Sequence, residues 1–149
     1  MIRASNKHEL FLLEKMKFHH IGIATKNLIL AKNNYINLGF TSTEIVYVPN
    51  QKVKVCFVNK KNHPKIELIE PTNPVSPVIN ILKKVGSTPY HICYQCSDYI
   101  ETIELLKKNQ FFQLSKPVIS NALSNKQICF FYNKNIGLIE LLEEKTDKK

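Results

Sequence analysis

The sequence predicts an α+β fold built from two tandem βαβββ modules, forming a curved eight-stranded mixed sheet with helices on its outer face. Three observations predict it. The chain repeats itself, strand-like and helix-like periodicities follow one another in the same order in each copy, and 149 residues suffice for one domain or two fused halves.

The repeat comes first. His20-Ile21 lies over His91-Ile92 at an offset of 71 residues, and that register runs on to Phe40 and Phe111. Val55-Cys56-Phe57 then matches Ile128-Cys129-Phe130 at an offset of 73, which carries Ile66-Glu67-Leu68 onto Ile139-Glu140-Leu141. Eight of the sixteen aligned pairs from position 55 to 70 are identical, so a two-residue insertion in a loop reconciles the two offsets.

Each copy opens with a short β-branched strand, near residues 20–24 and 91–95. A helical stretch follows, with apolar positions at Leu28, Ala31, Tyr35 and Leu38 in the first copy and with Asn27 and Asp98 at the N-cap positions. Three strands complete the first copy, near 43–48, 53–58 and 65–70, and the second copy ends on a strand over 138–143. Pro71-Thr72-Asn73-Pro74 punctuates the join before a short helix over 77–84. The organisation expected is an N-terminal extension over 1–16, a first module over 17–72, a linker with a short helix over 73–87, a second module over 88–144 and a basic tail over 145–149.

Composition excludes several classes. No apolar run approaches the roughly 18 residues of a membrane span, and Leu10 to Leu13 is too short for a secretory core of about 7 to 15 residues. Cys56, Cys93, Cys96 and Cys129 all sit in apolar, strand-like text, where a free thiol behaves as a small hydrophobe. A soluble cytoplasmic protein is expected. The formal charge of +9 comes from scattered lysines with a single arginine, Arg3, and without interleaved aromatics. That is not the pattern of a nucleic-acid surface; it suits an anionic small-molecule substrate such as a coenzyme A thioester, whose approach a positive field accelerates.

The duplication also isolates the chemistry. Alone, His91 in an apolar strand reads as a satisfied core histidine, and Glu67 between Ile66 and Leu68 as a side chain on a wet strand face. Together, His20, Glu67, His91 and Glu140 recur as a His and a Glu at matching places in both copies while most neighbours diverge. If first and last strands lie side by side, these four converge as a mixed N/O donor set for one divalent ion, with Zn, Co, Ni, Mn and Fe left open. Cys93 and Cys96 have redox-motif spacing, but a strand sends them to opposite faces, which favours structural roles. His19 is a candidate pocket residue, and His8 and His63 are expected at the surface.

These residues carry a resemblance. Phe18-His19-His20-Ile21-Gly22-Ile23-Ala24, Ile66-Glu67-Leu68-Ile69-Glu70-Pro71 with Ser76-Pro77, His91-Ile92 and Gly137-Leu138-Ile139-Glu140-Leu141 make residues 17–144 resemble the vicinal oxygen chelate superfamily of glyoxalases, bleomycin resistance proteins and dioxygenases, in its methylmalonyl-CoA epimerase and glyoxalase I branch. The resemblance implies one such domain overall and places its four metal ligands on His20, Glu67, His91 and Glu140. Met16 falls where such proteins often begin, which makes residues 1–15 an extension or a misassigned start. The chain departs from the epimerase pattern at three places: Tyr90 replaces the first of two paired histidines, residues 118–123 replace a glycine-containing loop, and residues 51–58 hold no acid where some epimerases carry a base.

The implied activity is metal-dependent isomerisation by proton abstraction next to a carbonyl, with Glu140 or Glu67 as the base. A lactoylglutathione lyase of the glyoxalase I type is the nearest rival, and a metal-free binding or resistance protein of the same fold is the rival from another class. An extradiol dioxygenase needs two His and one carboxylate, so Glu67 as a fourth ligand argues against it. Exposed sheet edges predict a homodimer.

Overall fold

The matching text of the two copies folds into strand pairs of matching register. The computed structural model of the chain describes residues 6–145, so 1–5 of the expected extension and 146–149 of the expected tail lie outside it. The element order is α1 (Lys7–Glu14), β1 (Lys17–Ala24), α2 (Leu28–Asn37), β2 (Thr41–Ser42), β3 (Val46–Val48), β4 (Val53–Asn59), β5 (Ile66–Pro71), α3 (Val78–Val85), β6 (Thr88–Cys96), α4 (Tyr99–Lys108), β7 (Phe112–Gln113), β8 (Val118–Ser120), β9 (Lys126–Asn133) and β10 (Gly137–Glu143). In the antiparallel pair β4–β5, Cys56 faces Leu68 and Phe57 faces Glu67. In β9–β10, Cys129 faces Leu141 and Phe130 faces Glu140, the same pairing 73 residues on.

Among the described residues the fold is α+β, with four α-helices and ten strands in mixed pairings. Ten replace the expected eight because the second strand of each copy is broken, into β2 and β3 and into β7 and β8. The described residues form two compact units, one of residues 20–91 with 120–125 and the other of the remainder.

In the first unit the strand order is β2-β4-β5-β1, with β3 also on β4 and β1 running parallel to β5. Strand alternation divides the side chains between two faces. Cys56, Val58 and Leu68 pack under Leu28 of α2, while Val53, Val55, Ile69 and Ala24 pack with Val78 and Leu82 of α3. Asn27 caps α2, its side chain accepting from the Leu30 amide at 3.0 Å. Leu38 does not continue the buried stripe: α2 ends at Asn37, and Leu38 at the C-cap is 63% exposed.

In the second unit β10 lies between β6 and β9, and β7 borders β9. Tyr99, Ile103 and Leu106 of α4 pack against Cys96, Cys129, Phe131 and Leu141. Asp98 precedes α4 as expected, but it is its backbone carbonyl that receives the Thr102 amide and hydroxyl, at 2.9 and 2.7 Å. Its carboxylate lies 3.8 Å from Lys15 instead. α1 buries Leu12, and its Glu9 pairs with Lys108 at the end of α4.

The two leucines of the first unit provide a test of this packing. Leu68→Ala, at a fully buried site, should cost about 2 to 5 kcal/mol. Leu38→Ala, although equal in chemistry, should stay within about 0.5 kcal/mol. Urea unfolding midpoints of the two variants measure the contrast.

Candidate functional site

The site grows out of the parallel pair β1–β5. Gly22 on β1 stands opposite Glu67 on β5, and His20, two residues earlier, shares the face of Gly22. His91, on β6, brings its Nε2 to 3.2 Å from Nε2 of His20. Oε1 of Glu67 lies 3.8 Å from the first of these nitrogens and 4.0 Å from the second. All three side chains are buried: His20 is 0%, Glu67 5% and His91 3% exposed.

Three neighbours fix this geometry. A Cβ on Gly22 would overlap the ring of His91, so glycine is the one residue that lets His91 lie across β1. Phe57 packs edge-on to His20, with centroids 5.4 Å apart and planes at 80°. Tyr90 does the same to His91, at 4.7 Å and 90°. Rings held edge to face on both sides help keep the two Nε2 atoms aimed inward.

Burial sets the electrostatics. It pushes His91 down to about 3 from an ordinary 6.5, so the imidazole is neutral at physiological pH and keeps a lone pair for a cation. At 3.8 and 4.0 Å the Glu67 oxygen is too distant from either nitrogen for a hydrogen bond. Two ligands bonded to one ion at about 2.1 Å stand roughly 3.0 to 3.5 Å apart. Small inward adjustments of Glu67 would therefore let these three atoms, already within 4.8 Å of one another, share a divalent ion. The donor set of two imidazoles and a carboxylate fits such an ion.

Glu140 belongs to the second unit, on β10, and is 2% exposed. Burial pushes its carboxyl up to about 7 from an ordinary 4.5, against the opposing pull of a hydrogen bond with Cys93. Cys93, expected as a purely structural thiol, is thus the polar neighbour of a candidate ligand. Cys96 packs in the α4 core instead. His19 is half-buried in the second unit's share of β1, while His8 and His63 are exposed. Gly22, Phe57 and Tyr90 were not singled out by the sequence as site residues. The recurrence of Phe57 as Phe130 beside each glutamate was the available signal for one of them.

Two outcomes follow. Gly22→Ala forces the His91 ring to move and should destabilise the protein by about 1 to 3 kcal/mol, as overpacking does; calorimetry measures it. For the metal-free protein, the unfolded chain protonates His91 below 6.5 while the folded chain resists down to about 3, so this group makes stability fall with acidification over that range. Glu140 keeps its proton to about 7 when folded but loses it near 4.5 when unfolded, so it makes stability fall as pH rises from 4.5 to 7. Each slope approaches about 1.4 kcal/mol per pH unit, and they oppose one another between 4.5 and 6.5. His91→Asn should expose the Glu140 slope and Glu140→Gln the His91 slope. Urea midpoints in chelator across the pH range read both, and parallel profiles in all three proteins would refute the assignment.

Comparison with known proteins places this geometry. The chain is 33% identical over 135 residues to the uncharacterized protein YqjC of Bacillus subtilis, covering 89% of this chain and 95% of that one. It is also 33% identical over 133 residues to the mitochondrial methylmalonyl-CoA epimerase of Dictyostelium discoideum, covering 87% and 78%. Its fold superposes on a variant methylmalonyl-CoA epimerase of Streptomyces coelicolor in complex with 2-nitronate-propionyl-CoA, with a TM-score of 0.75 at 22% identity over 87% of this chain and 98% of that one. Residues 19–130 match the Glyoxalase/Bleomycin resistance protein/Dioxygenase superfamily, and the chain belongs to that superfamily.

Proposed function

We propose that this chain is a metal-dependent epimerase that moves a proton next to the carbonyl of a small anionic acyl thioester, with methylmalonyl-CoA as the first candidate. The observation that carries it is the buried His20–Glu67–His91 cluster. Its substrate class is suggested by the epimerase of Dictyostelium discoideum, at 33% identity.

His20, Glu67 and His91 would hold the ion, with Glu140 as the fourth ligand by the logic of the repeat. A bound divalent ion supplies Lewis acidity toward a carbonyl oxygen. The proton itself is the business of the carboxylates. Glu140, buried on β10 and loosened from the ion as it acts, is the group that would accept and return one, and such general acid–base help is worth about 10² to 10⁴ in rate. Glu67 is the alternative carrier. The Lys65 ammonium, 4.7 Å from the centre of the Phe57 ring, places positive charge beside the face that carries His20. Together with the net charge of +9, it favours an anionic substrate.

A homodimer in the cytoplasm completes the proposal. Among the described residues no helix is long and apolar enough to cross a membrane.

Elemental analysis should find about one divalent ion per chain, lost in Glu67→Ala and His91→Ala. In D₂O the loaded protein should exchange the α-hydrogen of methylmalonyl-CoA, and Glu140→Gln should slow this by about 10² to 10⁴ while retaining part of the metal. Unchanged turnover in that variant would remove Glu140 from the reaction. Activity on a glutathione hemithioacetal but on no acyl thioester would make the protein a lactoylglutathione lyase. A protein that takes up no metal would be a binding protein of this fold.

A further inference from the structure

A carboxylate on the acyl group of a substrate brings negative charge to a site that already contains the Glu67 carboxylate. Its recognition calls for a cation placed beside the candidate ligands rather than among them. Resting on the epimerase reading above, we propose that Lys65 is a specificity-determining residue, whose ammonium binds the free carboxylate of the acyl group and selects malonyl-type thioesters over neutral ones.

The backbone of Lys65 is tied to the strand that carries His20: its carbonyl accepts from the Ile21 amide at 3.0 Å, at the start of the parallel β1–β5 pair. Two residues before Glu67, Lys65 shares that residue's face, with Cα atoms about 7 Å apart. Its Nζ stands over the Phe57 ring, 4.7 Å from the centre, and His20 meets the same ring edge-on at 5.4 Å. One aromatic ring therefore lies between the ammonium and a candidate ligand, and all four residues belong to one compact unit.

A lysine at the start of a strand is ordinarily a solvated charge resting its stem on a neighbour. Two observations set Lys65 apart. It is half-buried and pairs with no carboxylate among the described residues, whereas Lys54 on β4 reaches Glu70 at 3.4 Å. The second observation is the repeat, which supplies a control within the chain. Positions 65 and 59 correspond to 138 and 132 at the offset of 73, and position 41 to 112 at the offset of 71. The pairings correspond too: Thr41 faces Asn59 in one unit, as Phe112 faces Tyr132 in the other. A glutamate facing a phenylalanine occurs in both copies. Beside it the first copy has Lys65, Asn59 and Thr41 where the second has Leu138, Tyr132 and Phe112. The strand position accepts leucine, so the fold does not demand the charge at 65.

With the reacting carbonyl at the His20–Glu67–His91 cluster, the carboxylate of a malonyl-type group is only two carbon–carbon bonds away. An ammonium forms strong, charge-assisted hydrogen bonds with a carboxylate. It is also a compact charge with three rotatable donors on a flexible stem, so it can keep hold of the carboxylate in either epimer.

Titration calorimetry of the metal-loaded full chain with malonyl-CoA, and with acetyl-CoA, which lacks the carboxylate, tests this. The wild type should bind malonyl-CoA the tighter by about 10- to 100-fold, the worth of one hydrogen bond to a charged group. Lys65→Leu, which brings in the residue type of position 138, should keep its metal, bind acetyl-CoA unchanged and bind malonyl-CoA no tighter. Lys65→Arg should keep most of the preference, and Lys61→Leu, which removes an exposed lysine of the preceding turn, should leave it whole. A preference that survives Lys65→Leu, or that falls as far in Lys61→Leu, would overturn the assignment. So would loss of metal from Lys65→Leu, or equal weakening of both thioesters, which would place the ammonium at the coenzyme A moiety. A metal-loaded wild type that binds neither thioester would overturn the epimerase reading along with it.

Discussion

The candidate site depends on one close approach, that of the His91 imidazole to the backbone of β1 at Gly22. A side chain there would occupy the space of the ring. With none, His91 reaches 3.2 Å from His20, and Glu67, directly opposite Gly22, faces both imidazoles. Aromatic contacts from Phe57 and Tyr90 pack against the two rings and help to orient them. Such an arrangement is pre-formed, and a ligand entering it has little ordering still to impose.

Burial is the second constraint. Removing polar groups from water disfavours their charged forms. It leaves His91 neutral and Glu140 inclined to keep its proton. A buried neutral imidazole and a buried carboxyl that titrates near neutrality are poor contributors to stability and good participants in ligation and proton transfer. The apolar packing of Leu28 and Leu68 under α2 on one face, and of Val55, Ile69 and Leu82 on the face that also carries Glu67, supplies the stability that these polar groups do not.

The broken second strand joins the fold to the chemistry. The interruption between β2 and β3 looks like a defect of pairing, yet Thr43 satisfies both backbone groups of Phe57 across it. The irregularity holds the backbone of Phe57, whose ring meets His20 edge to face. Loops and bulges on a rigid sheet are where binding groups are commonly placed.

By itself the sequence determined the repeat, the α+β class and the order of the elements, and it singled out His20, Glu67, His91 and Glu140 as candidate ligands, of which the structure brings the first three together. These are legible because side-chain periodicity and spacing are local properties, and because matching positions in two copies separate chemistry from background. The register of β4 on β5, with Phe57 opposite Glu67, follows the same repeat. Only the tertiary structure decided that His20, Glu67 and His91 approach within a few ångström of one another, that Gly22 is required by the His91 ring rather than by a turn, and that Leu38 falls beyond the end of its helix. Only it revealed the extra residue between β2 and β3, where Thr43, Glu44 and Ile45 oppose only Phe57 and Cys56. The reason is physical: a bulge and a ring lying across a neighbouring backbone are set by pairing between distant segments, which leaves no period in the chain.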